Sequence, residues 1–358
     1  NRKPANLVFL IDISGSMSRE NRLELVKKSL RILVDNLQEN DQIGIVAYES
    51  SGHIVLTPTS IDDKDRILSA IEWLHPMGAT NLEEGLRLAY SMAGGEFDRG
   101  KINSIILCSD GVANVGTTDP EALLGQIKNN ADRGISLTAV GVGMGNYNDI
   151  LLEKLGDKGN GHYAYVDDIA EAKRIFLRNL TGTLQAIARD VKIQVDFDSS
   201  TVRSYRLLGY ENRDVADEKF RDNKEDGGEI GAGFQVTALY EIKLQKRIRS
   251  SHIATVYIRY KNSESERVNE VNYGIRLCDF NERFQDGSAD FRLAAASAQF
   301  AEILRQSYWA RNSKLADVRN LVSEISEEIG TPAVNELLNL VSMAERLQGQ
   351  TVSDNIDE

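Results

Sequence analysis

The stretch Leu7-Val8-Phe9-Leu10-Ile11-Asp12-Ile13-Ser14-Gly15-Ser16 decides the fold of this 358-residue chain. Its first five residues form a continuous apolar run, which is typical of a strand buried on both faces of a parallel sheet. The residues that follow place one carboxylate and two hydroxyls in a turn, and a glycine between the serines lets the backbone turn sharply. Small, hard oxygen ligands of this kind suit Mg²⁺ or Mn²⁺, although Asp and Ser are also ordinary turn residues.

Two later segments favour the metal site over a simple turn. Gly78-Ala79-Thr80-Asn81 precedes a predicted helix over 82–92, and Thr80 offers a third hydroxyl. The run from Ile105 to Gly111 is a second apolar strand that ends in a carboxylate, Asp110. In an open α/β sheet, ligands bind beyond the carboxyl ends of the strands, where both carboxylates would lie. The predicted metal ligands are Asp12, Ser14, Ser16, Thr80 and Asp110.

On these motifs, residues 1–185 resemble the von Willebrand factor A (VWA) domain, which integrin I domains share. The resemblance implies an α/β, Rossmann-like domain with a mostly parallel central sheet flanked by helices. It also implies that the five residues form a metal-ion-dependent adhesion site (MIDAS) for Mg²⁺ or Mn²⁺, with Ca²⁺ possible. In such domains the metal holds water and keeps one position for a carboxylate from a protein partner.

The loops around this site are predicted to set partner selectivity. In the VWA family, movement of the last helix can couple to the site, so the resemblance makes the helix over 168–183 a candidate for that role. We expect the partner to be a protein that offers an Asp or Glu side chain. The predicted partner-binding residues are Ser18, Asn81, Glu83, Val112 and Asn114.

The character of the sequence changes after the first domain. Residues 186–285 are rich in Val, Ile, Tyr and Phe, and their strict alternation in several runs predicts a β-rich, antiparallel sandwich. Helical periodicity returns over 286–350 and predicts a small helical region packed on the sandwich, followed by a frayed tail at 351–358. The predicted strands span 191–197, 202–210, 229–242, 253–260 and 268–277, and the predicted helices span 290–305, 314–329 and 332–347.

A closer resemblance rests on Ala289-Asp290-Phe291-Arg292-Leu293-Ala294-Ala295-Ala296. This run is similar to the opening of the C-terminal region in a group of bacterial VWA proteins, some of which are labelled calcium-activated chloride channel homologues. The C-terminal domain of that group has no known function. A channel finds no support in residues 188–358, because the predicted helices there are short, amphipathic and charged.

The charge and hydropathy of the chain restrict the kinds of partner and location that we expect. The formal net charge is −12, from 54 acidic and 42 basic side chains, which argues against binding to nucleic acid. We find no apolar run of 18 residues or more, as a membrane span would need. The chain begins almost inside its first strand, so we expect Asn1 to be a processing or truncation boundary. We expect a cell-envelope location, periplasmic or surface-anchored, with the targeting segment missing from this chain. We also expect Cys108 and Cys278 to be two separate buried thiols.

The leading interpretation is a non-enzymatic, metal-dependent protein-binding module for adhesion or assembly. One alternative is a structural scaffold with a vestigial metal site. A second is a Mg²⁺-dependent hydrolase of the haloacid dehalogenase type, but such enzymes carry a second Asp two residues after the first, where this chain has Ser14. The glycine run at 141–145 lacks the GxGxxG spacing of a nucleotide-binding loop.

Overall fold

The computed structural model describes residues 3–111, 120–143, 149–178, 186–209, 216–223, 227–231, 235–248, 250–263, 265 and 267–354. The chain divides into two compact units. The first comprises Asn1–Lys192, Arg221–Gln235 and Arg259–Glu270, and the second comprises Ile193–Phe220, Val236–Ile258 and Val271–Glu358.

A six-stranded sheet forms the centre of the first unit, in the order β3-β2-β1-β4-β5-β6. Neighbouring strands are parallel except at the β2–β3 pair, which is antiparallel. The mostly parallel sheet of the predicted Rossmann-like VWA fold is therefore confirmed. The strands are β1 (Ala5–Asp12), β2 (Gln42–Tyr48), β3 (Gly52–Ser60), β4 (Ile102–Ser109), β5 (Ile135–Val142) and β6 (Tyr163–Val166).

Helices cover both faces of this sheet because its strands are apolar on both sides. Along β1, Leu7, Phe9 and Ile11 contribute to the core under one set of helices, and Val8 and Leu10 contribute to the core under the other. The first core lies beneath α1 (Arg22–Asp35), α2 (Lys64–Trp73) and α6 (Ile169–Lys173). The second lies beneath α3 (Leu82–Gly95), α4 (Pro120–Asp132) and α5 (Asp149–Lys158).

The strand order reverses direction between β1 and β4. The chain leaves β1 toward β2 on one side, whereas β4 continues to β5 and β6 on the other. Loops diverge at such a switch point and leave a crevice beyond the carboxyl ends of the two strands. Asp12 ends β1 and Asp110 directly follows β4, so the fold places both at this crevice.

The helix predicted over 168–183 is less regular than expected over its described part. Asp168 caps α6 by accepting a hydrogen bond from the Glu171 amide over 2.8 Å. The chain then continues from Arg174–Arg178 as a π-helical turn. Residues 179–185 lie outside the described residues.

Two small antiparallel sheets follow, in agreement with the predicted sandwich region. One has the order β10-β8 and the other the order β12-β11-β7-β9. The predicted strand over 229–242 is wrong as a single element, because it forms two strands in different sheets, β9 and β10. The strands are β7 (Ala186–Phe197), β8 (Val202–Leu208), β9 (Gly228–Gly231), β10 (Leu239–Leu244), β11 (His252–Asn262) and β12 (Val268–Arg276).

The alternation over 191–198 predicts that Val191, Ile193, Val195 and Phe197 share a buried face of β7, with Lys192, Gln194, Asp196 and Asp198 on a solvent-facing side. The structure corrects this prediction at two positions. Ile193, expected on the buried face, is 43% exposed, whereas Lys192, expected in solvent, is only 3% exposed. The Lys192 ammonium is held by an ion pair to Asp190 at 3.0 Å and by the carbonyl of Asp222 at 2.8 Å. Local polar partners therefore override the apolar alternation at this position.

Three helices end the described chain and share one apolar core, which includes Ala296, Val318, Val322 and Val341. Within the second unit, Arg206 of β8 pairs with Glu302 of the first of these helices at 2.9 Å. The last helix continues beyond the predicted end at 347, and residues 355–358 lie outside the described part, so the frayed tail stays a prediction. The helices are α7 (Ala289–Leu304), α8 (Leu315–Ile329) and α9 (Pro332–Asp354).

The two cysteines differ in environment, contrary to the expectation of two buried thiols. Cys108 is buried inside β4, whereas Cys278 is exposed. The prediction for Cys278 is wrong because the chain leaves β12 at Arg276 and enters a short 3₁₀ turn at the surface. Among the helices described, none is both long and apolar enough to cross a membrane.

Candidate metal-binding site

Asp12 lies at the centre of the candidate site. Its side chain is fully buried, and three donors from three segments reach it. The Ser14 amide donates to Oδ1 over 2.9 Å, while the Ser109 hydroxyl and the Tyr48 hydroxyl donate to Oδ2 over 2.8 Å and 3.3 Å. The carboxylate is therefore fixed in position by the turn, by β4 and by β2.

Burial dominates the acidity of this carboxyl group. Desolvation raises the pKa of Asp12 to about 6, the hydrogen bonds from Ser14 and Ser109 oppose that change, and the charge of Asp110 adds to it. Burial likewise raises the pKa of Tyr48, with a further contribution from the charge of Asp12. A cation bound beside Asp12 would favour its ionised form, because an opposite charge lowers the pKa of a carboxyl group.

The two serines of the turn place their hydroxyls side by side. Ser14 Oγ and Ser16 Oγ are 3.0 Å apart. Ser14 is 1% exposed, whereas Ser16 is partly exposed, so the pair connects the buried end of the site with its solvent-facing side. Two adjacent hydroxyl oxygens next to a carboxylate match the oxygen chemistry that Mg²⁺ prefers.

The loop that carries Thr80 is attached to this turn through the backbone. The Met77 amide donates to the Ile13 carbonyl over 2.6 Å, and the Gly15 amide donates to the Gly78 carbonyl over 3.1 Å. Thr80 is 3% exposed. The two loops, separated by about sixty residues of sequence, therefore lie against each other at the carboxyl end of β1.

Asp110 completes the group of carboxylates. It directly follows β4 and is 1% exposed. Its Oδ2 accepts a hydrogen bond of 2.9 Å from the guanidinium of Arg22, the first residue of α1. A buried cation from the protein thus lies against one of the two predicted acidic ligands.

The structure brings together all the segments of the predicted ligand set. Within the described ranges there is no cluster of three or more His, Cys, Asp or Glu side chains that could hold a metal ion. The candidate site is of another kind, since two carboxylates and serine and threonine hydroxyls are its donors. That donor set fits a hard divalent cation that keeps several waters, and the ligand roles stay predictions.

The predicted partner-binding residues have separate local roles. Ser18 is exposed and its hydroxyl donates to the Gly15 carbonyl over 2.7 Å. Asn81 caps α3 by accepting from the Glu84 amide over 3.3 Å, and Glu83 lies half-buried in the first turn of that helix. Val112 and Asn114 lie outside the described residues.

Three residues of the site did not emerge from the sequence. Ser109 and Tyr48 hold the Asp12 carboxylate, and Arg22 pairs with Asp110. Ser109 and Tyr48 are the last residues of β4 and β2, so their positions at the strand ends were a usable signal. The sequence contains no comparable signal for Arg22, because the apolar stripe of its helix predicts burial of other residues and not of this one.

Comparison with known proteins agrees with this fold. Residues 6–178 match the model of the von Willebrand factor type A domain, and residues 182–347 match the model of the C-terminal domain of uncharacterized protein YfbK. Uncharacterized protein YfbK of Escherichia coli (strain K12) is 33% identical over 359 residues, which cover 95% of this chain and 62% of that protein. The chain therefore spans less than two thirds of that relative.

Two further similarities concern the first domain or the fold alone. Inter-alpha-trypsin inhibitor heavy chain H3 of Homo sapiens is 28% identical over 180 residues, 47% of this chain and 20% of that protein. The solved structure described as von Willebrand factor type A from Catenulispora acidiphila aligns with a TM-score of 0.53 and 17% identity. The alignment covers 95% of this chain and 82% of the Catenulispora acidiphila chain. At this identity it supports the fold alone.

Proposed function

We propose, from the premise that residues 6–178 form a von Willebrand factor type A domain, that this protein is a divalent-metal-dependent protein-binding module. The observation that carries the proposal is the meeting of Asp12, the Ser14–Ser16 hydroxyl pair, the Thr80 loop and Asp110 at the switch point of the sheet. Polar side chains buried together at a strand edge are costly for folding unless a ligand or a network uses them.

Asp12, Ser14 and Ser16 would hold the ion, and Thr80 and Asp110 would bind it directly or through water. The bound ion would supply a Lewis-acidic position for a carboxylate of the partner. Asp12 is fixed by its three donors, so the carboxylate needs little rearrangement to accept the ion. Ser16, the partly exposed member of the serine pair, marks the side from which the partner would approach.

The module is proposed to be non-enzymatic. Ser14 occupies the place of the second carboxylate that a haloacid dehalogenase-type phosphotransferase needs, and its amide is already bonded to Asp12. His53, at the start of β3, is exposed and pairs with Glu49 at 3.2 Å. Turnover of a phosphoester that is lost in Asp12→Asn would overturn this part of the proposal.

Calorimetric titration of Mg²⁺ and Mn²⁺ into metal-stripped protein tests the metal site. We expect binding of about one ion, lost in Asp12→Ala and Ser14→Ala. Ser18→Ala is the matched control, because it removes a serine hydroxyl from the same turn outside the donor set. If the unmodified protein binds no ion either alone or in the presence of acetate as a free carboxylate, a structural scaffold becomes the better interpretation.

The partner chemistry needs a separate experiment. Peptides displayed on a surface, each containing one Glu, are compared with the same peptides carrying Gln in its place. We expect retention of the protein in Mn²⁺ only by the Glu peptides, and loss of retention in a chelator. Equal retention by Glu and Gln peptides would contradict the role of a partner carboxylate.

A further inference from the structure

Arg22 brings a buried positive charge into the candidate metal site. Its side chain is 8% exposed, and its guanidinium donates to Asp110 Oδ2 over 2.9 Å. A second nitrogen of the guanidinium lies 3.3 Å from Glu20 Oε2, but the Glu20 side chain is 56% exposed. Solvent screens the interaction with Glu20 far more than the buried interaction with Asp110.

The burial of Arg22 requires backbone conformations that are energetically unfavourable for residues other than glycine. Glu20 and Asn21 have φ angles of 51° and 56°, in the left-handed region that residues other than glycine rarely adopt. These two residues connect the serine turn to α1 and bring Arg22 to its first position. A Cβ atom at Gly143, at the end of β5, would collide with the Arg22 side chain, so the glycine there leaves room for it.

We infer that Arg22 is the residue that makes the metal site selective for an acidic ligand; this inference rests on the proposed metal-dependent function. With both carboxylates ionised and a divalent cation bound, the guanidinium leaves the site with a net positive charge. A carboxylate from a partner neutralises that charge. Without Arg22 the metal-bound site is neutral, and an incoming carboxylate makes it negative.

The same charge weakens binding of the metal alone. Arg22 already holds Asp110, and its positive charge repels a cation that binds beside that carboxylate. Even at a partly solvated site, charges a few ångströms apart interact strongly enough to change an affinity by about tenfold. Arg22 therefore couples the two ligands: the metal binds loosely alone and more tightly together with a carboxylate.

The affinity for Mn²⁺ tests the inference in the full chain. Metal-stripped wild type, Arg22→Gln and Arg22→Lys are titrated with Mn²⁺ by calorimetry. We expect Arg22→Gln to bind Mn²⁺ about tenfold more tightly than wild type, and Arg22→Lys, which keeps the charge, to stay close to wild type. Arg19→Gln is the matched control, since it removes an arginine charge from the same turn at an exposed position.

The second arm repeats the titrations in a high concentration of sodium acetate, with sodium chloride at equal ionic strength as its control. We expect acetate to tighten Mn²⁺ binding to wild type and to Arg22→Lys, and to have no such effect on Arg22→Gln. Arg22→Met, which keeps an apolar stem of similar length, serves in the same titrations if Arg22→Gln does not fold.

The outcomes separate the two claims. If wild type binds Mn²⁺ and the Arg22→Gln and Arg22→Met variants bind it equally or more weakly, the inference about Arg22 fails and the metal-dependent function stands. If neither wild type nor the Arg22 variants bind Mn²⁺, with or without acetate, the proposed function fails and the inference fails with it. If Arg22→Gln and Arg22→Met bind Mn²⁺ alone, whereas wild type and Arg22→Lys need acetate, both claims are supported.

Discussion

The hydroxyl of Ser109 donates a hydrogen bond to Asp12 Oδ2 over 2.8 Å and thereby joins the ends of β4 and β1 at the switch point of the sheet. The same hydroxyl accepts a hydrogen bond from the Gly111 amide over 3.1 Å, so it also orders the chain on either side of Asp110. One small side chain thus links the two carboxylates of the candidate site.

Replacing Ser109 tests this link. We expect Ser109→Ala to lower the free energy of unfolding by about 1 to 2 kcal/mol, because two buried hydrogen bonds lose a partner. It should also weaken Mn²⁺ binding several-fold, since the Asp12 carboxylate is held less firmly.

Urea unfolding and calorimetric titration measure the two effects. Ser104→Ala is the control: Ser104 is a buried serine of the same strand, bonded to Ser136 over 3.0 Å and away from the site. It should reduce stability and leave the affinity for Mn²⁺ unchanged. A Ser109→Ala variant that binds Mn²⁺ as wild type does would contradict the positioning role.

Asp12 is expected to stabilise the protein only when a cation accompanies it. The pKa of Asp12 is raised from 3.8 to about 6, so its contribution to stability in the metal-free protein is lost as pH rises through 6. Asp12→Asn removes that penalty, and the Ser109 and Tyr48 hydroxyls, unlike backbone amides, can reverse to accept hydrogen bonds from the new side-chain amide. Metal-free Asp12→Asn should therefore be more stable than metal-free wild type at pH 8, by about 3 kcal/mol at most, and the difference should vanish near pH 4.

Thermal unfolding in a chelator across this pH range provides the measurement. Asp41→Asn is the control, because the buried Asp41 carboxylate accepts from the amides of Ala5 and Gln38 over 2.7 Å and 2.8 Å. The asparagine side chain has only one acceptor oxygen and cannot accept both hydrogen bonds, so this variant should be less stable than wild type. If Asp12→Asn is less stable than wild type at pH 8 in the chelator, the buried Asp12 carboxylate does not destabilise the metal-free fold.

The fold of the first domain could be predicted from the sequence because the sequence signals for its strands and helices are local. The apolar run at 7–11 lies within β1, and the helix predicted over 82–92 begins where α3 begins. Continuous apolar runs and three- and four-residue spacings report directly on burial in a parallel sheet covered by helices. The segments that carry the candidate ligands follow from the same logic, since the strand ends fix where Asp12 and Asp110 lie.

What the sequence did not reveal depends on contacts between distant segments. Arg22 is buried only because Glu20 and Asn21 adopt left-handed conformations and Gly143 leaves space, and no spacing rule contains that information. Lys192 is buried because Asp190, in the same strand, and the more distant Asp222 carbonyl both bind its ammonium, and apolar alternation reports on neither contact. The alternation of side chains in β7 fails where a polar partner is close enough to satisfy a buried charge.

The environments of the two cysteines give a chemical test of the fold. Cys108 is 1% exposed, and burial raises the pKa of its thiol to about 12, so almost none of it is thiolate at pH 8. Cys278 is exposed. We expect native protein to react rapidly with a thiol-specific reagent at Cys278 alone, and denatured protein to react at both residues.

Mass spectrometry of the modified peptides identifies the reacting residue. The variant Cys278→Ala should show no rapid reaction in the native state, and Cys108→Ala should react as wild type does. Rapid modification of Cys108 in the native protein would show that β4 opens to solvent, which is incompatible with its place in the centre of the sheet.

The junction between α8 and α9 depends on a glycine, as the sequence break at Gly330-Thr331-Pro332 suggests. Gly330 has a φ angle of 64° and its amide donates to the Ser326 carbonyl over 2.9 Å, which ends α8. A Cβ atom at this position would meet no other atom within 4 Å, so the cost of a substitution arises from the backbone conformation alone. We expect Gly330→Ala to lower the free energy of unfolding by about 1 kcal/mol.

Gly94→Ala is the matched control, because Gly94 lies exposed in α3 with equal space around it and an ordinary helical conformation. It should stabilise the protein by about 0.5 to 1 kcal/mol. The chain has two tryptophans, Trp73 in the first unit and Trp309 in the second, so single-tryptophan backgrounds report on each unit separately. Gly330→Ala should lower the urea midpoint reported by Trp309 fluorescence, and Gly94→Ala should raise the midpoint reported by Trp73 fluorescence. Equal effects of the two substitutions would contradict the left-handed cap at Gly330.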